Sequence, residues 1–168
     1  MAKKTTKKTA PGIELGSLVK DSITGFTGIA VGRTEFGFGC VHIRTQAQEL
    51  SERGDPIPAH SFDDQRVEVL APPTRSWAAP KTTAIKLGNV VRDTLTGAVG
   101  VASALSFDIG GQVSVIIEQP GLTDEGEPKA PFYANVDRVV AVDRRKLKVS
   151  KDSEATSGGP MARSAAIC

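Results

Sequence analysis

The residues best placed to do chemistry in this chain are its aspartates. Asp21 and Asp93 each open a D-x-x-T-G segment, with Thr24 and Gly25 completing the first and Thr96 and Gly97 the second. A carboxylate works as a general acid or base when a second titratable group faces it, and neither segment supplies a partner at a defined spacing. The spacing instead predicts a structural turn, in which the Asp side chain accepts from backbone amides just ahead and Gly provides the positive φ. Asp63-Asp64 offers a cation two adjacent carboxylates, and the pattern around it reads as a solvated turn before a strand. His42 and His60 are far apart, and the single cysteine near them, Cys40, is too few to complete a metal-ligand set. No G-x-S-x-G, P-loop, H-E-x-x-H or dinucleotide fingerprint occurs. The chain is therefore expected to carry no catalytic, cofactor-binding or metal-binding residues and not to be an enzyme.

The elements that must position these residues come as a duplication. Residues 13–70 align without a gap on 85–142 at an offset of 72, with 16 identities in 58 positions, where chance gives roughly four. Gly39/Gly111, Leu50/Leu122, Pro56/Pro128 and Arg66/Arg138 continue the match well beyond the D-x-x-T-G turn. Asp63-Asp64 becomes Asn135-Val136, His42 becomes Ser114 and His60 becomes Phe132. The duplicated fold therefore needs neither histidine, and both are expected at the surface.

Each copy reads as strands. Leu18 to Asp21 is a short first strand, and Phe26 to Thr34 a long one in which Gly28 and Gly32 permit a bend or bulge. Gly37 to Gly39 turns the chain into Cys40 to Thr45, which alternates. A polar loop over 48–58 leads to His60–Asp63 and Val67–Leu70. In the second copy Gly110-Gly111 turns into Val113–Ile117. About five short strands with Gly-rich turns and no convincing helix predict a small SH3-like barrel. The expected architecture is all-β: an N-terminal arm (1–12), barrel 1 (13–70), a Pro-rich linker (71–84), barrel 2 (85–142) and a C-terminal arm (143–168). The linker holds three prolines in fourteen residues and Trp77, the one tryptophan. It reads as extended, with Trp77 either folded back over a barrel edge or meeting a partner.

Charge divides along the same lines. Residues 1–12 carry +4, residues 143–168 carry +3, and the middle carries −5. A nucleic-acid reader holds its positive charge on the folded surface, so nucleic acid is expected to touch this chain only non-specifically through its tails. Few aromatics read as exposed. No apolar run approaches the about eighteen residues of a membrane span. The basic start Met1-Ala2-Lys3-Lys4 has no apolar stretch behind it, so a Sec-type signal is not expected. Two cysteines are too few for a disulfide scaffold. Cys40 reads as a buried thiol, and Cys168 as a free thiol or a cross-link to a neighbouring chain.

The run Val19-Lys20-Asp21-Ser22-Ile23-Thr24-Gly25-Phe26-Thr27-Gly28-Ile29, then Gly39-Cys40, Phe62-Asp63-Asp64 and Val67-Glu68-Val69, resembles a family of short proteins encoded by tailed bacteriophages. Those often read K-D-x-x-T-G-F-x-G-I, G-C, W-F-D-E and a final apolar strand. The second copy departs from that pattern at Ala98, Gln112 and Ala134-Asn135. The resemblance implies an SH3-like barrel and a virion protein without catalytic residues or cofactors. The expectation is a capsid decoration protein bridging capsid subunits in many copies, with a neck or tail accessory protein and a KOW-type nucleic-acid- or host-protein-binding module as alternatives. Lys3, Lys4, Lys7, Lys8, Trp77, Arg144, Arg145, Lys146 and Lys148 are the expected partner contacts.

Overall fold

A computed structural model describes residues 12–142. Among them the chain is all-β, an antiparallel sheet of ten strands that does not close. The first copy supplies β1 (Leu18–Asp21), β2 (Thr27–Phe36), β3 (Val41–Gln46), β4 (His60–Asp63) and β5 (Val67–Ala71). The second supplies β6 (Val90–Asp93), β7 (Val99–Asp108), β8 (Val113–Glu118), β9 (Phe132–Asn135) and β10 (Val139–Ala141). A single 3-10 turn precedes the last strand of each copy, at Asp64–Arg66 and Val136–Arg138. These two turns are absent from the all-strand reading, because three residues are too few for a helical period to show.

Local chemistry explains the strand pattern. The ten-residue β2 pairs β1 through Ile29, Gly28 and Thr27, and pairs β3 from Ile29 to Glu35. Its register against β3 shifts between Ala30 and Gly32, the bulge that the glycine spacing predicts. Gly28 is required for a second reason. A Cβ there would overlap the backbone of Gln46, and at Gly100 one would overlap that of Glu118.

Two compact units emerge, and they do not follow the copies everywhere. The first comprises 12–35, Val41–Lys81 and Ser106–Gln112; the second comprises Phe36–Cys40, Thr82–Leu105 and 113–142. The first unit therefore takes the β7–β8 turn of the second copy, and the second unit takes the β2–β3 turn of the first. The core of the first unit is small: Val19, Ala30 and Ile43 are fully buried, with Ile13, Leu15, Val41 and Val67 packed on them. The second unit buries more, with Val91, Ala102, Ala104, Val113, Val115 and Ile117 all fully enclosed. Thr45, which is polar, stands in the first core where Ile117 stands in the second.

Candidate functional site

The predicted D-x-x-T-G turn forms in both units. Gly25 and Gly97 both take φ of 77°, a value that favours glycine. In the first unit the Thr24 amide and hydroxyl donate to Asp21 Oδ2 at 2.8 and 2.6 Å. In the second the Thr96 hydroxyl donates to Asp93 Oδ2 at 2.7 Å, and the Leu95 amide donates to Oδ1 at 3.4 Å.

Each aspartate also has a partner that the local motif does not announce. The β1–β5 register sets Asp21 opposite Val67, and the β6–β10 register sets Asp93 opposite Val139. The residue before each valine is an arginine. Arg66 Nε and Nη2 donate to Asp21 Oδ1 and Oδ2 at 3.0 and 2.9 Å. Arg138 Nε lies 2.9 Å from Asp93 Oδ1, and its Nη2 donates to Oδ2 at 3.1 Å. The Arg66 pair is two-pronged, the strong geometry for a guanidinium on a carboxylate, whereas Arg138 makes one hydrogen bond and its Nε sits close to the carboxylate without making a second. The aspartates are fully enclosed while the arginines keep about a third of their side-chain surface in solvent. One signal for the arginines was present: Asp and Arg recur 45 residues apart in both copies.

The electrostatics place these carboxylates outside acid–base work. Burial pushes the Asp21 carboxyl up, but the hydrogen bonds from Arg66 and Thr24 outweigh it and hold the pKa at about 2, against an ordinary 3.8. For Asp93 the Thr96 hydroxyl is the largest influence and lowers the pKa; burial opposes it, and the Leu95 amide and the Arg138 charge add to the lowering. A carboxylate so acidic and so fully hydrogen-bonded makes a poor general base near neutrality. These residues lock a corner, tying the turn after the first strand to the start of the last.

Asp63 accepts from the Gln65 amide at 2.9 Å, and Asn135 accepts from the Asp137 amide at the same distance. The acid is exchangeable because an acceptor oxygen is needed there, not a charge. Among the described residues no group of three or more His, Cys, Asp or Glu could hold a metal ion.

A surface concavity of about 400 Å³ in the first unit is lined by Thr24, Gly25, Phe26, His60 and Phe62. The Phe26 and His60 rings meet edge-on at 5.0 Å, and Phe26 and Phe62 lie 5.6 Å apart. His60 is thus exposed as expected, yet it belongs to an aromatic cluster. In the second copy two of these three positions are Ala98 and Ala134. Few aromatics are exposed, as expected: Phe38 at 91% and Tyr133 at 67% stand out in solvent, and the other six are half-buried.

Trp77 packs back onto the first unit. Its indole occupies the space a Cβ on Gly16 would need, and the Arg75 guanidinium sits 3.5 Å from its ring. Beside it lies a concavity of about 550 Å³ bordered by Ile13, Leu15, Phe107 and the Arg33–Glu35 ion pair, whose atoms are 2.9 Å apart. Cys40 corrects the reading of a buried thiol: it is half-buried and disulfide-bonded. Cys168, Lys3, Lys4, Lys7, Lys8, Arg144, Arg145, Lys146 and Lys148 lie outside the described residues.

Aliphatic side chains stand in solvent at matching places in the two copies. Ile23 and Leu95, at the tips of the D-x-x-T-G turns, are 73% and 75% exposed, and Leu50 and Leu122 are both 61% exposed. No helix among the described residues is long and apolar enough to cross a membrane. No family model, curated protein or solved structure matches the chain.

Proposed function

We propose that this chain is a non-enzymatic structural protein of a tailed-bacteriophage particle, acting as a capsid decoration protein that bridges shell subunits. The observation that carries the reading is the repetition of solvent-facing aliphatics, Ile23 with Leu95 and Leu50 with Leu122. Side chains of this kind add nothing to the core of either unit. An exposed aliphatic side chain at each of these places in both copies gives one chain like apolar contact points on each unit, which is what a bridging protein uses.

The strand order supports the barrel half of the proposal. In the first copy β5 pairs β1, β1 pairs β2, β2 pairs β3 and β3 pairs β4, with the 3-10 turn between β4 and β5. That is the order of an SH3-like barrel, and the corresponding pairs β10–β6, β6–β7 and β8–β9 are present in the second. The 71–84 stretch is then the linker between two such modules, and the Lys- and Arg-rich ends are the arms that meet acidic shell surface.

Quantitative mass spectrometry of purified particles tests this, with the chain's abundance measured against the major shell protein. A ratio comparable to that protein supports shell decoration. A few copies per particle would move the chain to the neck or tail, and absence from the particle would overturn the virion assignment.

A further inference from the structure

We infer that each unit is completed by a hairpin tip from the other copy, and that the β2 edge at Val31 is a docking site whose partner is a second module of the same kind. In the first unit the tip Ser106–Gln112 lies on β2. The Ile109 amide donates to the Val31 carbonyl at 2.9 Å, and the Thr34 hydroxyl donates to the Ser106 hydroxyl oxygen at 3.2 Å. The linker also reaches this tip, with the Lys81 amide donating to the Gly111 carbonyl at 3.2 Å. In the second unit the tip Phe36–Cys40 lies on β7, and the Gly37 amide donates to the Ser103 carbonyl at 2.9 Å.

The numbering shows what kind of contact this is. At the repeat offset of 72, Val31 corresponds to Ser103, Gly37 to Ile109, and Thr34 to Ser106. Exchanging the copies turns the Ile109–Val31 bond into the Gly37–Ser103 bond, and returns the Thr34–Ser106 contact to itself. Each unit thus makes the same amide-to-carbonyl contact, with equivalent residues of the two copies exchanged. The turns that present the two tips are also built alike. Phe36 donates to Cys40 at 2.9 Å and Asp108 to Gln112 at 3.0 Å, while Gly39 donates to Phe36 at 3.0 Å and Gly111 to Asp108 at 2.9 Å. Of these positions only Gly39/Gly111 keeps its residue type between copies, as expected for pairing through main-chain groups. Left alone, either edge would present unpaired amides and carbonyls to any passing strand. The like module covers them.

The test uses the full chain with a specific protease site inserted between Thr82 and Thr83, cut after folding. Reductant is present because Cys40 is disulfide-bonded. The two halves are expected to co-elute at the position of the uncut chain at micromolar concentration and to part only in denaturant. Separation of the halves on cutting overturns the inference. A second form carries Gly37→Pro and Ile109→Pro, which remove the two equivalent amide donors. Its cut halves are expected to separate. If they stay together, something other than this pairing holds the copies and the inference also falls.

Discussion

Replacing Ile43 by alanine probes the smaller of the two cores most directly. Ile43 is the largest fully buried side chain of the first unit, and only Val19 and Ala30 are as deeply enclosed there among its apolar residues. The substitution removes three carbons, which at about 0.8 kcal/mol per buried methylene costs about 2.4 kcal/mol. The cavity left behind adds to that, so the expected loss is about 3 kcal/mol. A unit of roughly 70 residues has about 4–10 kcal/mol to lose. With a urea slope near 1 kcal/mol/M, the midpoint falls by about 3 M. Trp77 is the one tryptophan and packs on Gly16 of this unit, so its fluorescence reports the first unit selectively. Ile43→Val, which removes one carbon, is expected to cost about 1 kcal/mol. Val69→Ala provides the contrast, since Val69 is half exposed on β5 and its loss is expected to fall within about 0.5 kcal/mol. An Ile43→Ala loss no larger than that of Val69→Ala would refute the assignment of Ile43 to the core.

Two further outcomes follow from the corner and the bulged strand. The Asp21 carboxyl lies at about 2 in the folded chain and at an ordinary 3.8 when unfolded. A depressed folded pKa contributes stability that is whole above about pH 4 and is lost as pH falls toward 2. Thermal unfolding followed between pH 2 and 5 should show that decline, and Asp21→Asn should flatten it while lowering stability at pH 7; an unchanged slope in Asp21→Asn would sink the assignment. Gly28→Ala and Gly100→Ala each drive a Cβ into the backbone of the neighbouring strand. Each is expected to cost about 2 kcal/mol by chemical denaturation, whereas Gly54→Ala, with open space around it but φ of 80°, should lose only the smaller left-handed penalty of about 1 kcal/mol.

Much of the local structure was legible from residue order. The strand Val41–Gln46 falls where the alternation places it, and the bulge in β2 sits at the glycines that permit it. The turn chemistry of Asp21 and Asp93 was legible for the same reason: an Asx-type turn is closed by atoms three residues apart. The arginine half of each corner was visible only as a coincidence of spacing. A 45-residue separation carries no periodicity, and the β1–β5 register is what brings Arg66 to Asp21. The aromatic surface of Phe26, His60 and Phe62 escaped notice because β4 reaches it through β3, not along the chain.

The sequence by itself determined the duplication, the strands and the turns, because these depend on contacts between near neighbours and on side-chain period. Tertiary structure alone decided which copy completes which unit. The tips at 36–40 and 106–112 bind through main-chain amides and carbonyls, groups that every residue but proline carries in full, so residue types around the bonds are free to differ. Val31, Gly37, Ser103 and Ile109 share no side-chain signature, and their pairing is set by register and edge geometry instead.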